Sequence, residues 1–187
     1  MPTTQSDPLA IGTPVPAFRL NDPMRGVDYR SADLPRTEGL LVMVICNHCP
    51  AVVHLRSALG PFAARYAARG ITSLAVSAND PKAYPEDAPP RLAAVAREMG
   101  FGFPYLYDES QAFVRSLQAA CTPEFYLFDG NRNLYYRGRF DDSTPGNGKP
   151  VTGSDLAGAI ESLLQGAPPP AHQYPAIGCS IKWRTEH

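Results

Sequence analysis

The feature that most constrains the fold is the segment CNHCP at residues 46 to 50. It is set between the apolar run LLVMVI at 40 to 45 and the stretch AVVHLRSALGPFAARYAARG. Residues 40 to 45 and ITSLAVS at 71 to 77 are short, apolar and rich in β-branched residues, and a helical repeat separates them. That spacing predicts a βαβ unit on a buried parallel sheet with a right-handed crossover. Within the helix Leu55, Leu59, Phe62 and Tyr66 share one face, Pro61 is expected to kink it and Gly70 to end it.

A second helix is predicted from Pro90 to Met99 with Gly100 after it. A third runs from about Ser110 to Ala120, capped by Asp108 or Ser110. EFYLFD, GNRN and LYYRGRF read as a β-hairpin, which makes the sheet mixed rather than purely parallel. A last helix begins near Ser154, turns Leu156, Ile160, Leu163 and Leu164 inward and ends at Gly166. Ahead of this βαβα(α)ββα order, AFRLND and VDYR form a further hairpin. The expected fold is therefore α/β, a central mixed β-sheet flanked by helices with an N-terminal β-hairpin extension. The 187 residues are expected to form one domain, with its core at about 14 to 166. The chain has 20 prolines, a high count. Several fall in a Pro-rich C-terminal tail, 167 to 187, that packs on the domain.

Lys plus Arg number 17 against 18 Asp plus Glu, and no basic stripe accompanies an aromatic platform, so no nucleic-acid partner is expected. The start lacks a basic segment followed by a long apolar stretch, and no run approaches membrane-spanning length. The expectation is a cytoplasmic protein with no membrane association. Four cysteines in that reducing compartment point to catalytic or metal-binding thiols rather than a disulfide framework.

At the carboxyl end of a strand where a helix starts, backbone N–H groups favour a thiolate. Cys46 is therefore expected to have a lowered pKa and to act as the nucleophile. Two intervening residues let Cys49 reach back across one helical turn as the resolving thiol. His48 either stabilises the thiolate or is an exposed spacer. Zinc would need two more ligands, and no second CxxC is present, so no metal or other cofactor is expected. In CTPEFYLFD a proline directly precedes a core strand. A cis Thr122–Pro123 bond there would turn the Thr122 backbone toward the dithiol, where it could pair with an extended substrate; a trans proline at a strand start is the alternative. Asn47, Thr122 and Asn79 are the candidate substrate contacts, with Pro123 grouped beside the catalytic residues. Asn79 and Asp80 either line the cleft or form a turn before Pro81.

With strand-CxxCP-helix and the later TP-strand, the chain resembles the thioredoxin superfamily over about residues 14 to 166. VICNHCP, SAND, YPEDAP, CTPEFYLFD, YRGRFDD and IGCSIKW resemble more closely the bacterial thioredoxin-like, peroxiredoxin-like redoxins. The resemblance implies a thioredoxin-like fold and thiol chemistry. Peroxiredoxins carry Pro-x-x-x-Thr/Ser-x-x-Cys and a later arginine. Counting back from Cys49 gives Cys46 and Val42 at the hydroxyl and proline positions, and from Cys46 gives Met43 and Gly39. Pro123 stands in place of the arginine. Against thioredoxin, Ile45 replaces the aromatic residue before the first cysteine and Leu40 replaces the buried aspartate. Glu124 either substitutes for that proton acceptor or is a solvated residue at a strand start.

Cys121 and Cys179 remain. They are expected to be one buried and one exposed thiol, unless the tail folds back and brings Cys179 to the dithiol or to Cys121 as a second relay. Arg137, Arg139, Asp141 and Asp142 are expected to form a surface charge network. The leading reading is a thiol-disulfide oxidoreductase acting on protein or low-molecular-weight disulfides, supplied with electrons by a thiol system such as thioredoxin or glutathione. An antioxidant thiol peroxidase of peroxiredoxin-like type and a non-catalytic binding module are the alternatives.

Overall fold

The computed structural model describes residues 9 to 185 and the backbone of residues 3 to 5. In chain order the strands are β1 (Thr3–Gln5), β2 (Arg19–Asp22), β3 (Val27–Arg30), β4 (Gly39–Val44), β5 (Ile71–Ser77), β6 (Tyr105–Tyr107), β7 (Cys121–Thr122), β8 (Glu124–Asp129), β9 (Leu134–Gly138) and β10 (Ile177–Ser180). The α-helices are α1 (Pro50–Ala67), α2 (Pro89–Glu98), α3 (Ala112–Ser116) and α4 (Ser154–Leu164). One sheet has the order β3-β2-β6-β5-β4-β8-β9 and a second the order β1-β10-β7. β4 pairs in parallel with β5 and β5 with β6, while β8 and β9 are antiparallel, so the large sheet is mixed.

Every residue of β4 is buried because both faces of the sheet are covered. Leu41, Met43 and Ile45 pack with Leu55, Leu59 and Phe62 of α1 and with Leu156 and Ile160 of α4. Leu40, Val42 and Val44 point the other way, into a cluster with Phe18, Leu20, Phe113 and Val114. Each fully buried Leu or Val side chain contributes on the order of 2 kcal/mol by leaving water. The run LLVMVI is therefore the apolar centre that fixes where the CNHCP segment emerges.

The N-terminal hairpin pairs Arg19 to Asp22 with Val27 to Arg30, as expected. Helix α1 runs through Pro61 without a break, and Gly70 lies just beyond it at a positive φ of 87°. In α4 Leu156 and Ile160 are fully buried, whereas Leu163 and Leu164 are only half-buried.

Three elements differ from the sequence expectation. Helix α3 has five residues rather than eleven: Asp108 Oδ2 accepts the Val114 N–H at 2.9 Å, but Gln118 adopts φ 55° and turns the chain into β7. The short strand β6 has no clear sequence signal, because three residues cannot display a period. The Pro-rich tail contains a strand, β10, which pairs with β1 on one side and β7 on the other.

The expected surface charge network resolves into separate contacts. Arg137 is buried and its Nε donates to Glu124 Oε1 at 3.1 Å, while Arg139 pairs with Asp155 at 2.6 Å and Lys149 with Asp142 at 2.5 Å. Asp141 is buried and accepts the Thr152 and Gly153 N–H groups, both at 2.7 Å.

Candidate active site

Strand β4 ends at Val44, and α1 begins at Pro50 with Cys49 as its N-cap. Proline at the first helical position leaves no orphan donor there, and the Val52 and Val53 N–H groups close onto Cys49 O at 3.0 and 2.9 Å. Cys46 therefore lies in the turn before the helix, and both cysteines are buried. One residue meets both sulfurs. Cys46 Sγ is 3.3 Å from Thr122 Oγ1, and Cys49 Sγ is 3.3 Å from Thr122 O. The Thr122–Pro123 peptide is cis.

The turn itself is held by Asp87, a residue the sequence did not single out. Its Oδ1 accepts the Asn47 N–H at 2.7 Å and the His48 N–H at 3.3 Å. Its Oδ2 accepts Asn79 Nδ2–H at 2.8 Å and lies 2.5 Å from His48 Nδ1. A carboxylate accepts, so the His48 proton sits on Nδ1. Asp87 is wholly buried in a 3₁₀ turn, Pro85–Asp87, forty residues from Asn47. The signal present in the sequence was the pair of acidic residues in YPEDAP, but nothing local showed that the second of them would reach the dithiol.

His48 is not the exposed spacer considered above: its side chain is 8% exposed, its ring stacks on Tyr84 at 4.3 Å, and Nε2 is buried without a hydrogen-bond partner. Cys46, His48 and Asp87 present atoms within 4.8 Å of one another, a spacing that could ligate a metal. Asp87 would then have to release the hydrogen bonds on whichever oxygen took the metal.

The electrostatics move the two thiols in opposite directions, against the lowering expected at Cys46. Cys46 is pushed well above the usual thiol value by its hydrogen bond with Cys49, by burial and by the charge of Asp87. Cys49 is lowered to about 4, first by the Cys46 thiol and, against the cost of burial, by the Cys179 thiol, the Val52 N–H and Thr122. The largest influence on Cys49 is the neighbouring Cys46 thiol, and the start of α1 at Pro50, directly after Cys49, adds a smaller favourable field. The pair shares one proton, and a second arrangement is also built. With the proton on Cys49, its S–H donates to Thr122 O while the Thr122 hydroxyl donates to a Cys46 thiolate.

Cys179 is not an exposed bystander. It stands opposite Thr122 in the β10–β7 ladder, is half-buried, and packs against the cluster that holds Cys46 and Cys49. Cys121, next to Thr122, is fully buried, and burial pushes its thiol up. The backbone edge of Thr122 that was expected to meet a substrate is paired here with the chain's own tail.

The other expected contacts are committed elsewhere. Asn47 Nδ2 donates to Glu86 O at 2.9 Å and Asn47 Oδ1 accepts from Tyr105 at 3.2 Å, so its amide supports the turn. Asn79 is buried and joins Asp87 to the Lys182 N–H. Asp80 forms a turn, its carbonyl accepting the Tyr84 N–H at 3.0 Å. Glu124 is neither solvated nor turned to the dithiol: wholly buried, it pairs with Arg137 and accepts the Ala120 N–H. A cleft of about 670 Å³ lined by Tyr29, Leu34, Ala63, Ile71 and Phe103 has no cysteine in its wall. A small one of about 70 Å³ reaches Pro123 between Ala51, Phe140 and Ile177.

A CxxC segment between strand and helix, facing a Thr-Pro loop on a mixed sheet flanked by helices, defines a thioredoxin-like α/β protein. The chain belongs to the Redoxin family, whose model matches residues 10 to 158. Its structure is similar to that of an uncharacterized conserved protein from Geobacillus kaustophilus, 42% identical, with a TM-score of 0.96 over 100% of this chain and 99% of that one. It is also similar to a hypothetical protein from Sinorhizobium meliloti 1021, 44% identical, with a TM-score of 0.95 over 98% and 100%. The fold extends to a thiol:disulfide interchange protein of the thioredoxin family from Chlorobium tepidum TLS, 16% identical, with a TM-score of 0.62 over 84% and 99%. No curated protein sequence matches the chain significantly. Among the described residues no helix is long and apolar enough to cross a membrane.

Proposed function

We propose that the protein is a cytosolic thiol-disulfide oxidoreductase whose Cys46 and Cys49 exchange disulfides with protein or small-molecule partners. The observation that carries this reading is the double contact of Thr122 with both sulfurs. From the arrangement with the proton on Cys49, the Cys46 thiolate attacks a substrate disulfide. One substrate sulfur leaves as a thiolate and is protonated by solvent. Cys49 then gives up its proton and attacks Cys46, the mixed disulfide breaks, and the second substrate thiol is released. The pair ends as a disulfide and the substrate has gained two electrons. A thiol donor such as thioredoxin or glutathione returns the pair to the reduced state. No prosthetic group is needed for these steps.

His48 and Asp87 act as positioning residues in this scheme. They fix the turn that carries Cys46 through the Asn47 and His48 N–H groups. The peroxidase alternative is less well supported, since Pro123 takes the place of the peroxide-binding arginine and the nearby Arg137 is turned to Glu124.

The test is trapping. Incubated with insulin, the Cys49→Ser variant should accumulate a mixed disulfide on Cys46, and Cys46→Ser should lose reductase turnover. A Cys49→Ser protein whose Cys46 stays free after prolonged incubation with insulin would contradict the assignment.

A further inference from the structure

The tail strand β10 takes the position along Thr122 that an extended partner would occupy. Its register places Cys179 opposite Thr122 and Ser180 opposite Cys121. The approach is close: a Cβ added at Gly178 would run into the carbonyl of Thr122 and the nitrogen of Pro123, so only glycine fits there. Beyond β10 the chain is pinned by Ile181 N–H to Ala120 O at 3.1 Å, by Lys182 N–H to Asn79 Oδ1 at 2.8 Å, and by Trp183 under the Arg115 guanidinium at 4.2 Å.

This fixed strand carries a thiol to the side of the dithiol. Cys179 packs against the cluster that contains both Cys46 and Cys49, and Thr122, its partner in the ladder, contacts both of those sulfurs. The Ala51 N–H, in the first turn of α1, favours charge on the Cys179 sulfur. Lys182 adds a positive charge near Cys179. We propose that Cys179 is a third redox-active cysteine, an internal partner that takes over the disulfide by forming a Cys49–Cys179 bond. This inference rests on the dithiol-exchange reading, which supplies the oxidised pair.

The step balances without a further oxidant. The Cys179 thiol loses its proton and its sulfur attacks Cys49 in the Cys46–Cys49 disulfide. The Cys49–Cys179 bond forms, the Cys46–Cys49 bond breaks, and Cys46 leaves as a thiolate that takes up a proton. The external disulfide that first oxidised the pair remains the only electron acceptor. In the reduced protein the Cys179 thiol is held up to about 11 by burial and then by its neighbour Cys49. Once Cys49 is in a disulfide it carries no charge, so its share of that restraint disappears when Cys179 is needed. The outcome is a tail covalently fastened to the start of α1 and a Cys46 that is free again.

The experiment uses full-length Cys46→Ser oxidised with glutathione disulfide, quenched in acid, alkylated after denaturation and mapped by peptide mass spectrometry. The expected product is an internal disulfide joining the Cys49 and Cys179 peptides, with Cys121 alkylated. A persistent glutathione adduct on Cys49 with Cys179 alkylated would overturn the inference. Should that variant fail to fold, wild type oxidised with one equivalent of glutathione disulfide is expected to give both Cys46–Cys49 and Cys49–Cys179 peptides, and Cys46–Cys49 alone would overturn it. A wild type that reduces insulin while Cys179 never enters a disulfide loses the relay and keeps the dithiol-exchange reading. A wild type in which Cys46 and Cys49 never pair loses both.

Discussion

Asp87 Oδ2 lies 2.5 Å from His48 Nδ1 while the other oxygen of the same carboxylate holds the backbone N–H of Asn47, so one buried acid fixes the turn between the two thiols. Its charge also faces Cys46 and raises that thiol. Replacing Asp87 by Asn removes the charge and keeps an acceptor. The pH profile of Cys46 alkylation, read in a Cys49→Ser background, is expected to move to lower pH. Global stability should drop by about 1 to 3 kcal/mol as buried donors lose good partners. An unmoved or upward-shifted profile would show that Asp87 does not act on Cys46.

Thr122 offers its hydroxyl to Cys46 and its carbonyl to Cys49. Thr122→Val removes only the hydroxyl while retaining shape and β-branching. Losing a hydrogen bond to the attacking thiolate costs about 1.5 to 3 kcal/mol, roughly a ten- to hundredfold lower rate of insulin reduction. Unchanged turnover would remove the hydroxyl from the mechanism.

Acid titration reports the thiolate on Cys49. Its folded-state value of about 4 lies below the usual 9.0, so between those values the unfolded chain holds a proton that the folded chain has released. This contribution to stability is complete above the unfolded value and is lost as pH falls through about 4. Cys46 and Cys179 are shifted upward, so their contributions are present below 9.0 and fade only as pH rises above it. Between about pH 7 and about pH 4 Cys49 is then the thiol of these three that sets a slope. The Tm of reduced wild type should fall more steeply over that range than the Tm of Cys49→Ser, and parallel curves would place the thiolate elsewhere.

Glu124 is predicted to matter for stability and not for chemistry. Glu124→Gln withdraws the charge partner of buried Arg137, a change that costs about 3 to 5 kcal/mol when a buried pair is broken, read by chemical denaturation. Insulin reduction per folded molecule should stay near the wild-type rate. A selective loss of turnover at full stability would instead make Glu124 the missing proton acceptor.

Most of the framework is legible from local pattern. The apolar run before CNHCP, the helical face from Leu55 to Tyr66 and the EFYLFD/LYYRGRF alternation each encode their own element, and the order of those elements places the two cysteines beside Thr122. The rest depends on long-range contacts that leave no periodic trace. Asp87 reads as one acid in a Pro-rich turn until the fold carries it to Asn47. Strand β6 is too short to show alternation, and β10 exists because β1 and β7 flank it. The opposite shifts of the two thiols have no local signal either, because the lowering of Cys49 comes first from its neighbour Cys46, a relationship that only the folded turn creates.

The central claim is disulfide exchange by Cys46 and Cys49, and the most direct measurement compares two rates for the fully reduced protein: reduction of insulin disulfides and consumption of hydrogen peroxide. The account predicts that insulin is reduced in a Cys46-dependent manner while peroxide reacts no faster than with an ordinary thiolate. Rapid peroxide consumption with insulin left intact would contradict it and would make the pair a peroxidase centre.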